Sequence, residues 1–160
     1  MGVMNNIVAQ NPDYLFMIES ACKAPSGHNT QPWLFKIGAS EIDIYPDFSK
    51  ELPIVDPSHR ELFVSLGCAT ENLCIAAHEK GYHTEVKVIE NSFIRVLLTE
   101  GKEKLPDSLL FLQIAVRQTN KRVYNGEAIP ESTINILKMV LSNRLYLFIF
   151  IEMELLIMRE

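Results

Sequence analysis

The sequence predicts one domain that mixes helices with strands, and three observations carry that prediction. Two short apolar runs, Leu34–Ile37 and Glu41–Tyr45, meet at Gly38-Ala39-Ser40, a hairpin-like signal. An apolar pattern of helical spacing then continues from Glu61 to Lys80. Two alternating runs, Thr84–Glu90 and Ile94–Glu100, follow it, with Val86, Val88, Val96 and Leu98 on the repeating positions. The 160 residues can bury roughly two-thirds of their unfolded surface, so a core of its own is expected. Apolar residues at 48% and charged residues at 22% fit a soluble globular class and exclude disorder.

Each element has its own local cause. Asn11 caps a first helix, Pro12 sits in its first turn, and Tyr14, Ile18, Ala21 and Cys22 recur at helical spacing until Pro25 stops it. After the first strand pair, Pro46, Pro53 and Pro57 impose a loop. Ser58 and Glu61 have the spacing of a capping box at the start of the long helix, and Gly81 ends it. Leu62, Leu66, Ala69, Leu73, Ala76 and Ala77 form the main apolar stripe, while Phe63, Val64 and Ile75 lie beside it. A helix apolar over so wide an arc is buried on more than one side, in the core or across a dimer seam. Pro106-Asp107-Ser108 opens a further helix with Leu109, Leu112 and Ala115 or Val116, and Ile129-Pro130-Glu131 leads into a last amphipathic one.

The remaining features narrow the class. A net charge of −5 gives no electrostatic case for nucleic acid as a partner. Cys22, Cys68 and Cys74 are an odd number without a CxxC pair, so neither a disulfide framework nor a zinc site is expected. His78 and His83 miss the spacing of H-E-x-x-H by one residue, and Gly81 breaks the helix between them, so no metal is expected there. Cys68 and Cys74, six apart on the long helix, are expected as buried structural thiols. The N-terminus lacks a basic n-region and an apolar h-region, so no signal peptide is expected. The longest apolar run, Leu145–Ile151, is much too short to span a membrane. These features make a cytoplasmic location the expectation. Residues 1–142 read as the domain, and 143–160 as an atypical hydrophobic tail with 12 apolar residues in 18. The tail reads either as an element covered by a partner subunit or as an out-of-frame end. The second is preferred, because the run lacks the gatekeepers that usually flank such segments.

Two segments hold the candidate chemistry. In Ala24–Trp33, Pro25 and Pro32 pin the ends, Gly27 is expected to take an unusual dihedral, and Ser26, His28, Asn29, Thr30 and Gln31 crowd donors and acceptors together. A planar heteroaromatic with alternating carbonyl and N–H groups needs such a mixed edge. A surface connection rich in turn formers fits the same composition. In Arg117–Arg122, Arg117, Lys121 and Arg122 with Thr119 and Asn120 have the chemistry to surround a phosphate, and equally that of a solvated basic turn.

Taken together these segments resemble the nitroreductase family of flavoproteins. Ala24-Pro25-Ser26-Gly27-His28-Asn29-Thr30-Gln31-Pro32-Trp33 matches every fixed position of its A-P-S-x-x-N-x-Q-P-W signature. Asp56–Glu61 and Gly67–Leu73 resemble its next loop and central helix, and Arg117–Arg122 is similar to its R-x-[ST]-x-x-R phosphate segment. The arginine segment follows the loop here instead of preceding it. That order resembles a divergent branch whose longer chains carry two nitroreductase-like halves, with this chain the first half, apparently truncated.

The resemblance implies an α+β fold, an α/β/α sandwich with a mixed, mainly antiparallel sheet and the long helix at the centre of a homodimer-like core. It implies FMN at the seam between two halves. Arg117, Thr119 and Arg122 would hold the phosphate, and Ser26, Asn29 and Gln31 would meet the isoalloxazine and ribityl, with His28 at a variable position beside them. Trp33 is expected to pack at the strand entrance. The implied activity is that of an FMN-dependent oxidoreductase, with NAD(P)H as hydride donor and a nitroaromatic, quinone or similar small-molecule electron acceptor. No residue has to be a nucleophile, because the cofactor does the redox step. The alternative is a flavin-binding or sequestering protein, or an inactive remnant, without turnover.

Overall fold

The computed structural model describes residues 11–89, 92–101, 108–123 and 126–142. The 143–160 tail therefore lies outside the described residues. The chain divides into two units, Met1–Arg117 and Gln118–Glu160.

In the first unit, α1 covers Pro12–Ala21, with the Asn11 side chain accepting from the Asp13 amide at 3.0 Å as the sequence predicts. Strands β1 (Trp33–Ile37) and β2 (Glu41–Pro46) form the expected hairpin. The 20-residue helix α2 runs Arg60–Glu79, and Gly81, at φ +82°, ends it. Strands β3 (Tyr82–Ile89) and β4 (Phe93–Glu100) pair along their whole length, and α3 covers Ser108–Val116. The strand order is β1-β2-β4-β3, and every pair described is antiparallel. Helices and an antiparallel sheet in these segments make the fold α+β.

Period-two alternation decides what the sheet buries. Ile42 and Ile44 of β2 and Ile94, Val96 and Leu98 of β4 turn to one face, all buried. Helix α2 packs against β2, β3 and β4, and α1 and α3 pack against α2. Leu62, Leu66, Ala69, Leu73, Ala76 and Ala77 of α2 are buried, and so are Thr70, Cys74 and Ile75 beside the stripe. The helix is thus covered on more than one side, as its wide apolar arc predicts. Each fully buried Leu or Ile contributes roughly 1.5–3 kcal/mol. From α2, Asn72 Nδ2 donates to the Ser20 carbonyl of α1 at 3.2 Å.

The opposite sheet face carries Asp43 and Arg95, directly paired in the β2–β4 register. Beside them Tyr45 and Phe93 stack at 4.5 Å between ring centroids.

One cap differs from expectation. Ser58 does not cap α2. The cap is His59, left-handed at φ 57° and without a side-chain cap bond. Asp56, buried, takes over: its Oδ2 accepts from the Leu62 amide at 2.9 Å, and its carbonyl accepts from the His59 amide at 3.1 Å. The start slips one residue towards the C-terminus because a buried carboxylate is the stronger acceptor for these unpaired amides.

In the second unit, α4 runs Glu131–Ser142. The amides of Thr133 and Ile134 donate to the Pro130 carbonyl at 2.9 and 3.1 Å.

Candidate functional site

The Ala24–Trp33 loop is pinned at both ends and open in the middle. Ala24, Pro32 and Trp33 are buried, whereas His28, Asn29 and Gln31 are exposed. A single 3-10 turn, Gly27–Asn29, forms its centre. The Asn29 amide donates to the Ser26 carbonyl, and the Thr30 amide and hydroxyl donate to the Gly27 carbonyl, all at 3.0 Å. Ser26 Oγ accepts from the Gln31 amide at 3.0 Å, which ties two of the candidate residues to each other. The Gly27 amide donates to Ser65 Oγ at 3.3 Å, and Ser65 Oγ donates to the Glu61 carbonyl at 2.7 Å, so the loop is laid on the first turns of α2.

The unusual dihedrals fall elsewhere than expected. Gly27 is not left-handed; His28 (φ 48°), Asn29 (φ 58°) and Gln31 (φ 52°) are. A Cβ at Gly27 would lie 2.7 Å from Glu61 Oε2, the free end of a side chain that can swing aside, so the position tolerates a small side chain. The left-handed backbone fans three polar side chains out of a short loop, leaving their donors and acceptors on the exposed side.

Trp33 opens β1 and is 6% exposed, as expected for a residue at the strand entrance. Burial pushes the Cys22 thiol up, and a hydrogen bond with the Trp33 side chain partly offsets this.

Gln31 is also held from a segment the sequence does not single out. Lys50 Nζ donates to the Gln31 carbonyl at 3.1 Å, and the Asp47 amide donates to the Pro32 carbonyl at 3.0 Å. Lys50 and Ser65 carry no signal in the chain beyond ordinary surface and helix composition, and Glu61 signals only a helix cap, so the packing of the loop on α2 is what reveals them.

The second candidate segment crosses the division of the chain. Arg117 ends the first unit just past α3, its amide donating to the Gln113 carbonyl at 2.8 Å. Its charge opposes, more weakly, the burial that pushes the Cys68 thiol up. Thr119 and Arg122 belong to the second unit, where the Arg122 amide donates to Asn120 Oδ1 at 3.0 Å and forms a local turn. Arg117, Thr119 and Arg122 are all exposed.

The thiol of Cys74 is buried, and those of Cys22 and Cys68 are half-buried. His78 Nε2 lies 3.1 Å from Thr84 Oγ1, and His83 is on β3, so the two histidines occupy different elements. Among the described residues, no group of three or more His, Cys, Asp or Glu has the arrangement to hold a metal ion, and no helix is long and apolar enough to cross a membrane.

No family model matches the chain. Two curated proteins do, each named "Putative NAD(P)H nitroreductase" and each from a strain of Mycobacterium tuberculosis. Both are 30% identical over 115 residues, 69% of this chain. The chain spans about a third of their length, 33%. A solved nitroreductase family protein from Streptococcus pneumoniae aligns over 80% of this chain and 92% of its own at 16% identity, with a TM-score of 0.44. By its curated relatives the chain belongs to a nitroreductase-like family.

Proposed function

We propose that this chain forms an FMN-binding half-site of an NAD(P)H-dependent oxidoreductase. The observation that carries the reading is the Ala24–Trp33 loop. Its ends are buried, its left-handed centre exposes His28, Asn29 and Gln31, and the curated relatives are named putative NAD(P)H nitroreductases. The donor set fits the group. An Asn and a Gln carboxamide each offer both donor and acceptor, which suits the alternating edge of an isoalloxazine. Two exposed guanidiniums with a threonine hydroxyl suit a phosphate. Ser26, His28, Asn29 and Gln31 would hold the ring and ribityl, and Arg117, Thr119 and Arg122 the phosphate. Seats for both parts of one cofactor are filled by pairing with a second half, in the simplest case another copy of this chain.

The chemistry that FMN would supply in this seat is two-electron transfer from NAD(P)H to a nitroaromatic, quinone or similar acceptor. The protein's residues do the rest. The carboxamides of Asn29 and Gln31 orient the ring and hydrogen-bond its polar edge without gaining or losing protons. The Ser26 hydroxyl holds the Gln31 backbone, which keeps that edge fixed. The arginines neutralise the phosphate and bring the cofactor to the site.

The test is spectroscopic. The purified full chain titrated with FMN is expected to show bound-flavin absorbance, to bleach anaerobically with NADH or NADPH, and to recover on addition of a quinone. A chain that takes up no FMN overturns the proposal.

A further inference from the structure

Gln31 is the most constrained residue of the exposed strip. Its amide is accepted by Ser26 Oγ at 3.0 Å, and its carbonyl receives the Trp33 amide at 3.0 Å and Lys50 Nζ at 3.1 Å. A left-handed glutamine persists only where its surroundings hold both ends of the residue. Two of these bonds arise within the loop itself. The third comes from a separate 3-10 turn, Phe48–Lys50.

That turn is fixed to the molecule at two further points. On one side, the Asp47 amide donates to the Pro32 carbonyl at 3.0 Å. On the other, Phe48 lies edge-on to His59 at 5.3 Å and to Phe63 at 6.5 Å between centroids, and Glu51 Oε2 is 2.7 Å from His59 Nε2. Residues 47–51 thus form a brace from the exposed loop to the N-terminus of α2. Lys50 is the side chain through which the brace reaches Gln31. Asp47 Oδ2 lies 3.9 Å from Nζ.

We infer that Lys50 is a positioning residue for the exposed Asn29–Gln31 edge, and that it holds Gln31 in its left-handed conformation before any ligand arrives. A cationic donor on a carbonyl makes a stronger bond than a neutral one. Its loss frees the Gln31 peptide to turn and scatters the carboxamide it carries. The inference rests on the flavin reading for its ligand and on the geometry of Lys50 for its mechanism.

The experiment uses the full chain with Lys50→Met and Lys50→Arg. Amide hydrogen exchange is followed without flavin, and FMN and riboflavin are titrated separately. Lys50→Met is expected to speed exchange across residues 26–33 and leave the unfolding midpoint unchanged. It is also expected to weaken FMN and riboflavin alike, by about fivefold, the loss of one hydrogen bond. Lys50→Arg restores both readouts. Unchanged exchange overturns the inference, as does an arginine variant that behaves like the methionine one. Weakened FMN with unaltered riboflavin assigns Lys50 to the phosphate and also overturns it. Faster exchange with unchanged affinities for both flavins overturns its ligand-directed part. If the unaltered chain binds neither flavin, the proposed function falls, while the exchange comparison still decides the role of Lys50.

Discussion

Asp43 and Arg95 meet across β2 and β4 as a two-pronged pair, Nε to Oδ1 at 2.7 Å and Nη2 to Oδ2 at 2.8 Å. The carboxylate side chain is 4% exposed and the guanidinium 36%. Their partnership is unequal: the aspartate depends on the arginine more than the arginine on it. Arg95→Met strands a buried carboxylate and is expected to destabilise the fold, though less than breaking a fully buried pair because water screens the arginine side. Replacing both residues by leucine is expected to cost less than Arg95→Met alone. Urea unfolding of both variants beside the unaltered chain checks this.

The cap of α2 gives a second contrast. Asp56→Ala removes the acceptor of the Leu62 amide and is expected to lower stability by about 1–2 kcal/mol. Ser58→Ala, at the position the sequence pattern favours, is expected to change stability by less than about 0.5 kcal/mol. Equal effects of the two would return the cap to Ser58.

Alkaline pH probes Tyr14. Burial raises its phenol above the ordinary value, and the neighbouring Tyr82, Glu41 and Glu100 raise it further. A group with a raised folded value stabilises the fold while protonated. Its contribution is complete below the unfolded value of about 10 and is lost as pH rises through the folded one. Unfolding midpoints are expected to fall above about pH 10, and less steeply in Tyr14→Phe. A phenolate absorbance titration should show one late tyrosine that this variant lacks.

The arginine segment carries the phosphate assignment. Arg117→Ala and Arg122→Ala are each expected to weaken FMN by about 10–100-fold, the range of a charge-assisted hydrogen bond. Riboflavin, which lacks the phosphate, is expected to change by less than about twofold. Parallel losses for both ligands, read by fluorescence titration, would rule that role out.

These cases show what the chain discloses before it folds. Periodicity together with caps, turn signals and breakers locates α1, α2 and the four strands, because period two in β3 and β4 and the wide stripe of α2 follow directly from what each element buries. Gly81 as a terminator is equally legible, since few other residues accept its dihedral. The cap at Asp56 is not, because Ser58 and Glu61 imitate a local capping signal, and the burial that favours Asp56 depends on tertiary packing. The Asp43–Arg95 pair needs the β2–β4 register, which no local pattern states. In the candidate site, the pinned loop and its polar strip are visible in the residues. Their flavin reading comes from the resemblance, and the left-handed backbone at His28, Asn29 and Gln31 from the structure alone.

That backbone has a thermal consequence. His28, Asn29 and Gln31 each occupy a region that disfavours side chains by roughly 1 kcal/mol. The surrounding hydrogen bonds must offset this penalty at every temperature. On heating, these residues are therefore the first place where order should give way, well before the sheet melts. A cofactor that fastens there would do more than occupy a seat: it would raise the temperature at which the molecule begins to loosen.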